Sequence, residues 1–533
     1  MLSKCLSNRT NNIPSILFQS IRRNIESQTN SAECPHKVST ETTDWENARP
    51  YEDIPGPSKF ELVRGFMPGG AFYKQPVKVF FNILQKKYGD FLILPGIFGK
   101  KPILMAFDPN MFREVFRNEG IWPARRNFDS AFYFRNVYKK EYFQGNEGLI
   151  MTSGESWGKF RTAVNPILMQ PKNVKQYLNK MIPVNKDFIQ RIREIRDPKT
   201  NEMPGNFVDE INRLTFESVA VIALDQELGL IRRNRDSPEA EALFRSLRDF
   251  FDLAYELDIK PSLWKIIKTP KFYKMMRVSE TMFQITKKYI EDALERMEKN
   301  PHSTEDSSYQ KSVVEKLAEK DKLVAIVMAM DMMLAGVDTT TTTLTGILFG
   351  IGKNPDKQEK LRQEVLSVLP EKDSVPTVES LKNLPYLRAS IKEGIRLFPI
   401  GPGTVRSLPK NMVLNGYQVP MNTDVAMGNN IILREEKYFP KAEEFIPERW
   451  LRTEEGDAFK ADEVNPFVYL PFGFGPRSCA GKRIVDLELE LTIMRLVRNF
   501  NIEFNYSIEN AFDTQFIARP IIPLKFKFTE MEN

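Results

Sequence analysis

The sequence predicts one large, mainly α-helical domain, and three observations carry that prediction. No Gly/Ser-rich or Pro-rich linker divides the chain after residue 60, and no repeat or low-complexity tract occurs beyond the Thr339–Thr343 run. Leu323 to Gly352 is a mostly apolar stretch of about thirty residues, enough for a helix that crosses a domain. A second helical segment, Lys482 to Phe500, follows directly on a glycine-rich loop. Length alone would suggest several domains, but 533 residues with 41% hydrophobic and 27% charged side chains also suit a single large core.

From the N-terminus, residues 1–25 carry Lys4, Arg9, Arg22 and Arg23 and no acid before Glu26. They are rich in Ser and Asn, and Ile13 to Ile21 is a short amphipathic segment. This is the composition of a mitochondrial presequence, set here at residues 1–30. It lacks the run of roughly 18 apolar residues that a membrane anchor needs. Its removal takes away four cations and one anion, lowering the net charge from +6 to about +3. That balance is too weak to argue for a nucleic-acid partner, no nucleic-acid module is visible in the sequence, and none is expected. A polar linker, 31–57, ends at Ile54-Pro55-Gly56-Pro57, where proline fixes φ and glycine frees it, a stiff bend. The catalytic domain is expected over 58–533.

The long apolar stretch contains Asp331 and Asp338. At the centre of a bilayer each would cost roughly 2.5–3.5 kcal/mol, so the stretch reads as a core helix and not as a membrane span. Within it lies Ala335-Gly336-Val337-Asp338-Thr339-Thr340. Thr and Gly are poor helix formers, so a locally opened ladder is expected there, offering a groove for dioxygen and water. Thr339 could then hydrogen-bond the oxygen being activated, and Asp338 could relay protons to it from solvent.

Only Cys5, Cys34 and Cys479 occur, so there is neither a disulfide framework nor a Cys-x-x-C site. His36 and His302 are isolated, which leaves Cys479 as the one plausible ligand for a haem iron. It sits in Phe472-Gly473-Phe474-Gly475-Pro476-Arg477-Ser478-Cys479-Ala480-Gly481. A lone thiolate in such a position pushes electron density toward O–O cleavage. Gly473 and Gly475 do not make a dinucleotide loop, because Ser478 replaces the third glycine and no β-α-β context follows. Glu393 and Arg396 share one helix face at i, i+3, and Pro447-Glu448-Arg449-Trp450 supplies another arginine. Haem propionates are carboxylates that suit arginine forks; Trp157 and Arg161, at i, i+4, could reach one porphyrin edge.

These motifs, in this order, resemble the cytochrome P-450 family of haem-thiolate monooxygenases, from Ile54 to the C-terminus. The resemblance implies the cytochrome P-450 fold, mainly α with a smaller β-rich region, with haem b between the long central helix and the Cys-loop helix. By resemblance Cys479 is the axial iron ligand, Asp338 and Thr339 deliver protons, and Trp157, Arg161, Arg406 and Arg477 hold the haem. Phe472 packs beside the thiolate. Glu393, Arg396 and Arg449 form a buried bracing triad. Arg388, Lys392, Lys482 and Arg483 match the basic residues with which mitochondrial relatives dock an acidic [2Fe–2S] ferredoxin. No flavin or nicotinamide domain is present, so NADPH would act only through a ferredoxin reductase.

The segment Val164-Asn165-Pro166-Ile167-Leu168-Met169-Gln170-Pro171-Lys172-Asn173-Val174 is similar to the insect mitochondrial branch, family twelve above all. That branch is associated with xenobiotic oxidation and its neighbours with ecdysteroid hydroxylation. The implied location is the matrix side of the mitochondrial inner membrane, bound peripherally. Ser262 to Met276, with Trp, Phe, Ile, Met and lysines, falls at the family's membrane-dipping substrate-access loop. Pocket walls are expected near 120–145, 245–260, 328–339, 401–405 and 510–517, with Phe128, Phe132, Phe134, Phe251 and Phe516 suggesting an apolar site for a lipophilic substrate. An ecdysteroid hydroxylase, a haem-thiolate isomerase or dehydratase needing no electrons, and a haem-binding carrier stay open as alternatives.

Overall fold

The structure is a computed structural model that describes residues 45–532 except 98–99, 127, 233–236, 261, 300–310, 452–462 and 515–516. The expected presequence, most of the polar linker, Cys5, Cys34, His36, His302 and Phe516 lie outside the described residues. Contacts divide the chain into Met1–Ala48, of which only residues 45–48 are described, and a compact unit Arg49–Asn533.

The apolar stretch folds as one unbroken helix, Lys322–Lys353, the core helix. Asp321 caps it by accepting from the Leu323 amide at 2.7 Å. Among the described residues it alone is long and apolar enough to cross a membrane, and it is mostly buried inside the protein. It packs most extensively against helix Phe207–Ala223 and also against Pro385–Leu397.

The expected local opening at the threonine run is absent. Thr339 Oγ1 donates to the Ala335 carbonyl at 2.6 Å, Thr343 to Thr339 at 2.9 Å and Thr345 to Thr341 at 2.8 Å. Threonine hydroxyls that bond back one turn supplement the ladder and leave it closed. The last long helix, Lys482–Asn499, packs on Leu178–Ile195, Pro355–Val368 and Pro385–Leu397.

The β-rich region is small. Strands β1 (Phe91–Leu94), β2 (Ile103–Ala106), β3 (Thr404–Ser407), β4 (Met412–Leu414), β5 (Tyr417–Val419) and β6 (Asp424–Met427) come first in the chain. They are followed by β7 (Phe500–Glu503), β8 (Phe512–Thr514), β9 (Ala518–Pro520) and β10 (Lys527–Glu530). A mixed four-stranded sheet runs β1-β2-β6-β3, with only β2 and β6 parallel. The pairs β4–β5, β7–β10 and β8–β9 are antiparallel ribbons. The sheet carries its own apolar core beside the larger helical one.

The proline-rich bend is docked on this sheet. The Pro55 carbonyl accepts from the Ile93 amide at 2.9 Å, and a Cβ on Gly56 would meet the Ile93 oxygen at 2.1 Å. Close approach to β1, more than freedom of φ, is therefore what requires glycine here.

Candidate haem-thiolate site

Two φ-positive glycines, Gly473 at 71° and Gly475 at 72°, turn the loop back on itself so that the Cys479 amide donates to the Phe472 carbonyl at 2.8 Å. Helix Lys482–Asn499 begins immediately after, and the Gly481 N–H points at the Cys479 thiol. Burial pushes the thiol up; the Gly481 amide, Arg161 and Lys482 pull it down, and Asp486 pushes it up slightly. Cys479 is nevertheless exposed. Ala335 on the core helix is also exposed, although its neighbours Leu334 and Val337 are buried. Exposed positions on the Cys loop and on the otherwise buried core helix suit a flat apolar group with a thiolate ligand.

Around the loop gathers a surplus of positive charge. Arg161 NH2 donates to the Ser478 carbonyl at 2.9 Å, and Arg477 donates to the Pro123 and Thr152 carbonyls, each at 2.8 Å. Arg406, buried on β3, pairs with Glu119 and reaches the Phe474 carbonyl at 3.2 Å. Trp157 is buried and lies 4.1 Å under the Arg477 guanidinium. Burial, then Arg125, Arg406 and Arg161, push Arg477 down to about 8, and burial and Arg406 push Arg125 down to about 10. Arg161 Nε and Arg477 NH1 are buried without a hydrogen-bond partner. Guanidiniums stay protonated, so four of them, with Glu119 paired to Arg406 and Asp331 acting on Arg125 from a distance, call for further anions. Two propionate carboxylates match that demand, and these residues fit a haem on both its metal side and its acidic edge.

Arg125, Glu119 and Trp122 were not found from the sequence. A Cβ on Gly158 would meet the Trp122 ring at 2.2 Å, and one on Gly475 would meet Glu119 Oε1 at 2.1 Å. These are long-range contacts that no local spacing announces. Phe472 is half-buried, with its ring 5.0 Å from the Lys482 ammonium.

Asp338 is buried on the core helix and pairs with Arg519 of β9 at 2.8 Å, a partner the sequence did not suggest. Burial pushes its carboxyl up, against the pull of Arg519. Thr339 is half-buried beside it.

Glu393, Arg396 and Arg449 come together, all buried. Glu393 accepts from Arg396 Nε and NH2, each at 2.9 Å, and from Arg449 Nε at 3.0 Å. The Trp450 indole adds a fourth hydrogen bond at 2.8 Å and the Ile446 amide a fifth at 3.0 Å. Arg396 in turn holds the Leu433, Ala442 and Glu444 carbonyls at 2.7–3.0 Å.

Of the four expected docking cations, Arg388 is drawn into an ion pair with Glu490 at 2.7 Å, and Lys482 pairs with Asp486 at 2.6 Å. Lys392 is exposed, and Arg483 is exposed with no ion pair among the described residues. Arg388 and Arg483 line one hollow of about 220 Å³ with Lys175, Lys382, Asp486 and Glu490. In the expected access loop Trp264 is anchored inside, its indole donating to the Leu257 carbonyl at 3.1 Å. Leu263, Ile266 and Ile267 face outward, 63%, 81% and 63% exposed. Of the aromatic side chains expected around the pocket, Phe134 and Phe251 are packed in the helical core.

A family model described as Cytochrome P450 matches residues 55–528. The chain is 47% identical over 505 residues to "Cytochrome P450 CYP12A2" of Musca domestica, covering 93% of this chain and 94% of that one. It is 48% identical over 497 residues to "Probable cytochrome P450 12a5, mitochondrial" of Drosophila melanogaster, covering 92% and 93%. To "Probable cytochrome P450 12c1, mitochondrial" of the same fly it is 46% identical over 495 residues, covering 92% and 94%.

Proposed function

Since this chain belongs to the cytochrome P450 family of haem-thiolate monooxygenases, we propose that it is a mitochondrial member that oxidises lipophilic xenobiotics with electrons from a [2Fe–2S] ferredoxin. The haem supplies dioxygen activation and O–O cleavage. The overall reaction inserts one oxygen atom from O2 into the substrate and reduces the other to water.

The observation that carries the site assignment is the pairing of one thiol with a cluster of under-neutralised arginines. Cys479 would supply the thiolate that binds the haem iron, Trp157, Arg161, Arg406 and Arg477 would hold the haem, and Arg125 stands beside that cluster. Phe472 screens the loop on the sulfur side. Asp338, its carboxyl pushed up by burial, and the adjacent Thr339 are the pair that would deliver protons. Glu393, Arg396 and Arg449 brace the chain behind the loop.

Relatives named mitochondrial support the compartment, as does the composition of residues 1–30. The basic residues near the Cys-loop helix, Arg388, Lys392, Lys482 and Arg483, support a small acidic electron donor that docks close to Cys479. Asp486 and Glu490 temper that surface, which makes docking sensitive to salt. The outward Leu263, Ile266 and Ile267 support a peripheral contact with the matrix side of the inner membrane.

The test is reconstitution of the processed haem protein with mitochondrial ferredoxin, its reductase and NADPH, with products read by mass spectrometry. Several slow hydroxylated or dealkylated products from plant toxins and insecticides are expected. A single tight ecdysteroid product would overturn the xenobiotic assignment and make this a hormone-pathway hydroxylase.

A further inference from the structure

Residues 262–269, which lead into helix Pro270–Lys299, fold back on themselves. The Ile266 and Ile267 amides both donate to the Leu263 carbonyl at 2.9 Å, and Thr269 Oγ1 accepts from the Phe272 amide at 3.3 Å where the helix begins. This short fold turns Leu263, Ile266 and Ile267 outward and returns Lys268 toward the protein. There the Lys268 ammonium stands 4.3 Å from the centre of the Tyr133 ring, 4.5 Å from that of Phe272 and 5.0 Å from that of Trp264.

The three rings form a cage. Trp264 and Phe272 lie nearly parallel, 13° apart with centroids at 5.4 Å, and Tyr133, from the short helix Asp129–Tyr133, stands edge-on to both at 85° and 78°. Trp264 and Phe272 are buried, and the Trp264 indole is held by the Leu257 carbonyl, so these two walls are fixed. Tyr133 and Lys268 are half-buried, which leaves the cage open to solvent on the side where Lys268 enters.

A lysine ammonium is a poor match for such a cage. It carries three N–H donors, and ring faces attract its charge but take no ordinary hydrogen bond from it. Among the described residues no hydrogen bond or ion pair reaches the Lys268 ammonium. The acids close by are engaged elsewhere: Asp129 with Lys265, Glu256 with Lys260 and Lys271, and Asp258 with the Ser130 amide and hydroxyl. A cation without N–H groups meets the same three rings and leaves no donor unsatisfied, which is why aromatic cages suit quaternary ammonium groups.

We propose that the cage of Tyr133, Trp264 and Phe272 is a binding site for the trimethylammonium group of a choline phospholipid, a site that Lys268 fills until the lipid arrives. In the exchange one cation replaces another, so the charge inside the cage is unchanged. The displaced Lys268 ammonium pairs with the phosphate of the same headgroup and gains the anionic partner it lacks in the cage. A lipid is favoured over a free quaternary amine because Leu263 adjoins Trp264 and Ile266 and Ile267 adjoin Lys268, all three turned outward. The apolar side chains that reach the bilayer thus flank the cage that takes its headgroup. This deepens the membrane contact proposed for Leu263, Ile266 and Ile267 and rests on it: the cage sets the depth at which that loop docks.

The holoenzyme is tested with probes that separate the cage from the membrane. In calorimetric titration, tetramethylammonium chloride should bind wild type weakly and Y133L not at all. K268A should bind it roughly tenfold more tightly than wild type, as expected where Lys268 leaves the cage open about a tenth of the time. No binding to K268A, or binding that Y133L retains, would overturn the cage; K268A removes no buried side chain, so its result stands even where Y133L fails to fold. Vesicles of an anionic lipid mixed with phosphatidylcholine or with phosphatidylethanolamine then compare two headgroups of equal charge, one without N–H donors and one with three. Wild type should prefer the choline mixture several-fold, and Y133L should bind both alike. K268A, with no ammonium to give the phosphate, should gain less on choline vesicles than on tetramethylammonium; an equal gain would overturn the hand-over to phosphate. Tetramethylammonium binding without any headgroup preference would overturn the lipid as ligand and assign the cage to a soluble quaternary amine. I266E/I267E should keep tetramethylammonium binding while vesicle binding falls. Undiminished vesicle binding in I266E/I267E, with the choline preference intact, would sink the apolar membrane contact and leave the headgroup site standing.

Discussion

The Asp331 carboxylate accepts from Arg135 NH2 at 2.7 Å, and both side chains are sealed from solvent, 1% and 4% exposed. Its second oxygen takes the Leu149 amide at 2.6 Å and the Ile150 amide at 3.3 Å. One acid on the core helix therefore ties down the whole stretch between the 134–138 turn and residue 150. Gly148, at φ 82°, completes the seat, since a Cβ there would stand 2.3 Å from Asp331 Oδ2.

Removing one partner of such a pair leaves the other buried and unneutralised. D331N should cost about 3–5 kcal/mol in denaturant unfolding, and the double change R135M/D331L should recover much of that. G148A should also destabilise, through the clash and the left-handed backbone together.

The five hydrogen bonds on Glu393 make it the least replaceable acid behind the Cys loop. E393Q keeps the shape but leaves two guanidiniums around a neutral amide. A loss of about 3–5 kcal/mol is expected, seen as a lower midpoint in denaturant and as haem released at milder conditions.

Gly475 allows the loop to pass Glu119, the carboxylate that pairs with Arg406 in the arginine cluster. G475A should displace Glu119 and loosen Arg406, giving slower haem uptake and an altered Soret band. Global stability should fall much less than in E393Q, because the main apolar core is untouched.

Glu488 is buried on the Cys-loop helix with no cation against it among the described residues and only the Ser218 hydroxyl beside its carboxyl. Burial pushes its carboxyl up to about 8 from an ordinary 4.5. Between those values the folded protein holds a proton that the unfolded chain releases. Stability should therefore decline as pH rises through that window and reach its floor above pH 8. E488Q mimics the protonated acid, so its melting temperature should fall less steeply over the same range and exceed wild type at the alkaline end.

Ile266 and Ile267 are exposed apolar side chains with no structural partner to lose. I266E/I267E should leave unfolding within about 0.5 kcal/mol of wild type. Binding to vesicles containing anionic lipid should drop by at least roughly tenfold, since burying even one such side chain is worth about 1.5–3 kcal/mol. Unchanged vesicle binding would remove this loop from the membrane contact.

What could be read in the sequence was local. Cys479 with its glycines, Glu393 with Arg396, and Trp157 with Arg161 lie within a turn or a tight loop of one another, and spacing alone puts them together. Asp331 and Asp338 were legible as misfits in an apolar helix, but their partners were not. Arg135 and Arg519 lie 196 and 181 residues away, and arginine is too common on surfaces to be singled out. Arg406 and Glu119 are 287 residues apart and meet because β3 runs beside β6 in the mixed sheet. The threonine run misled for the opposite reason. Propensity scored the residues one at a time, while in the helix their hydroxyls bond to carbonyls one turn back.

Before folding, the core helix has neither Arg135 nor Arg519 beside it. A translocation channel that receives the extended chain meets only a long apolar segment and two aspartates. In such a channel each of those two carboxylates would oppose lateral escape into lipid by roughly 2.5–3.5 kcal/mol. The acids that clamp the folded protein are thus also what sets the unfolded segment apart from a membrane span, and replacing both with leucine would remove that distinction.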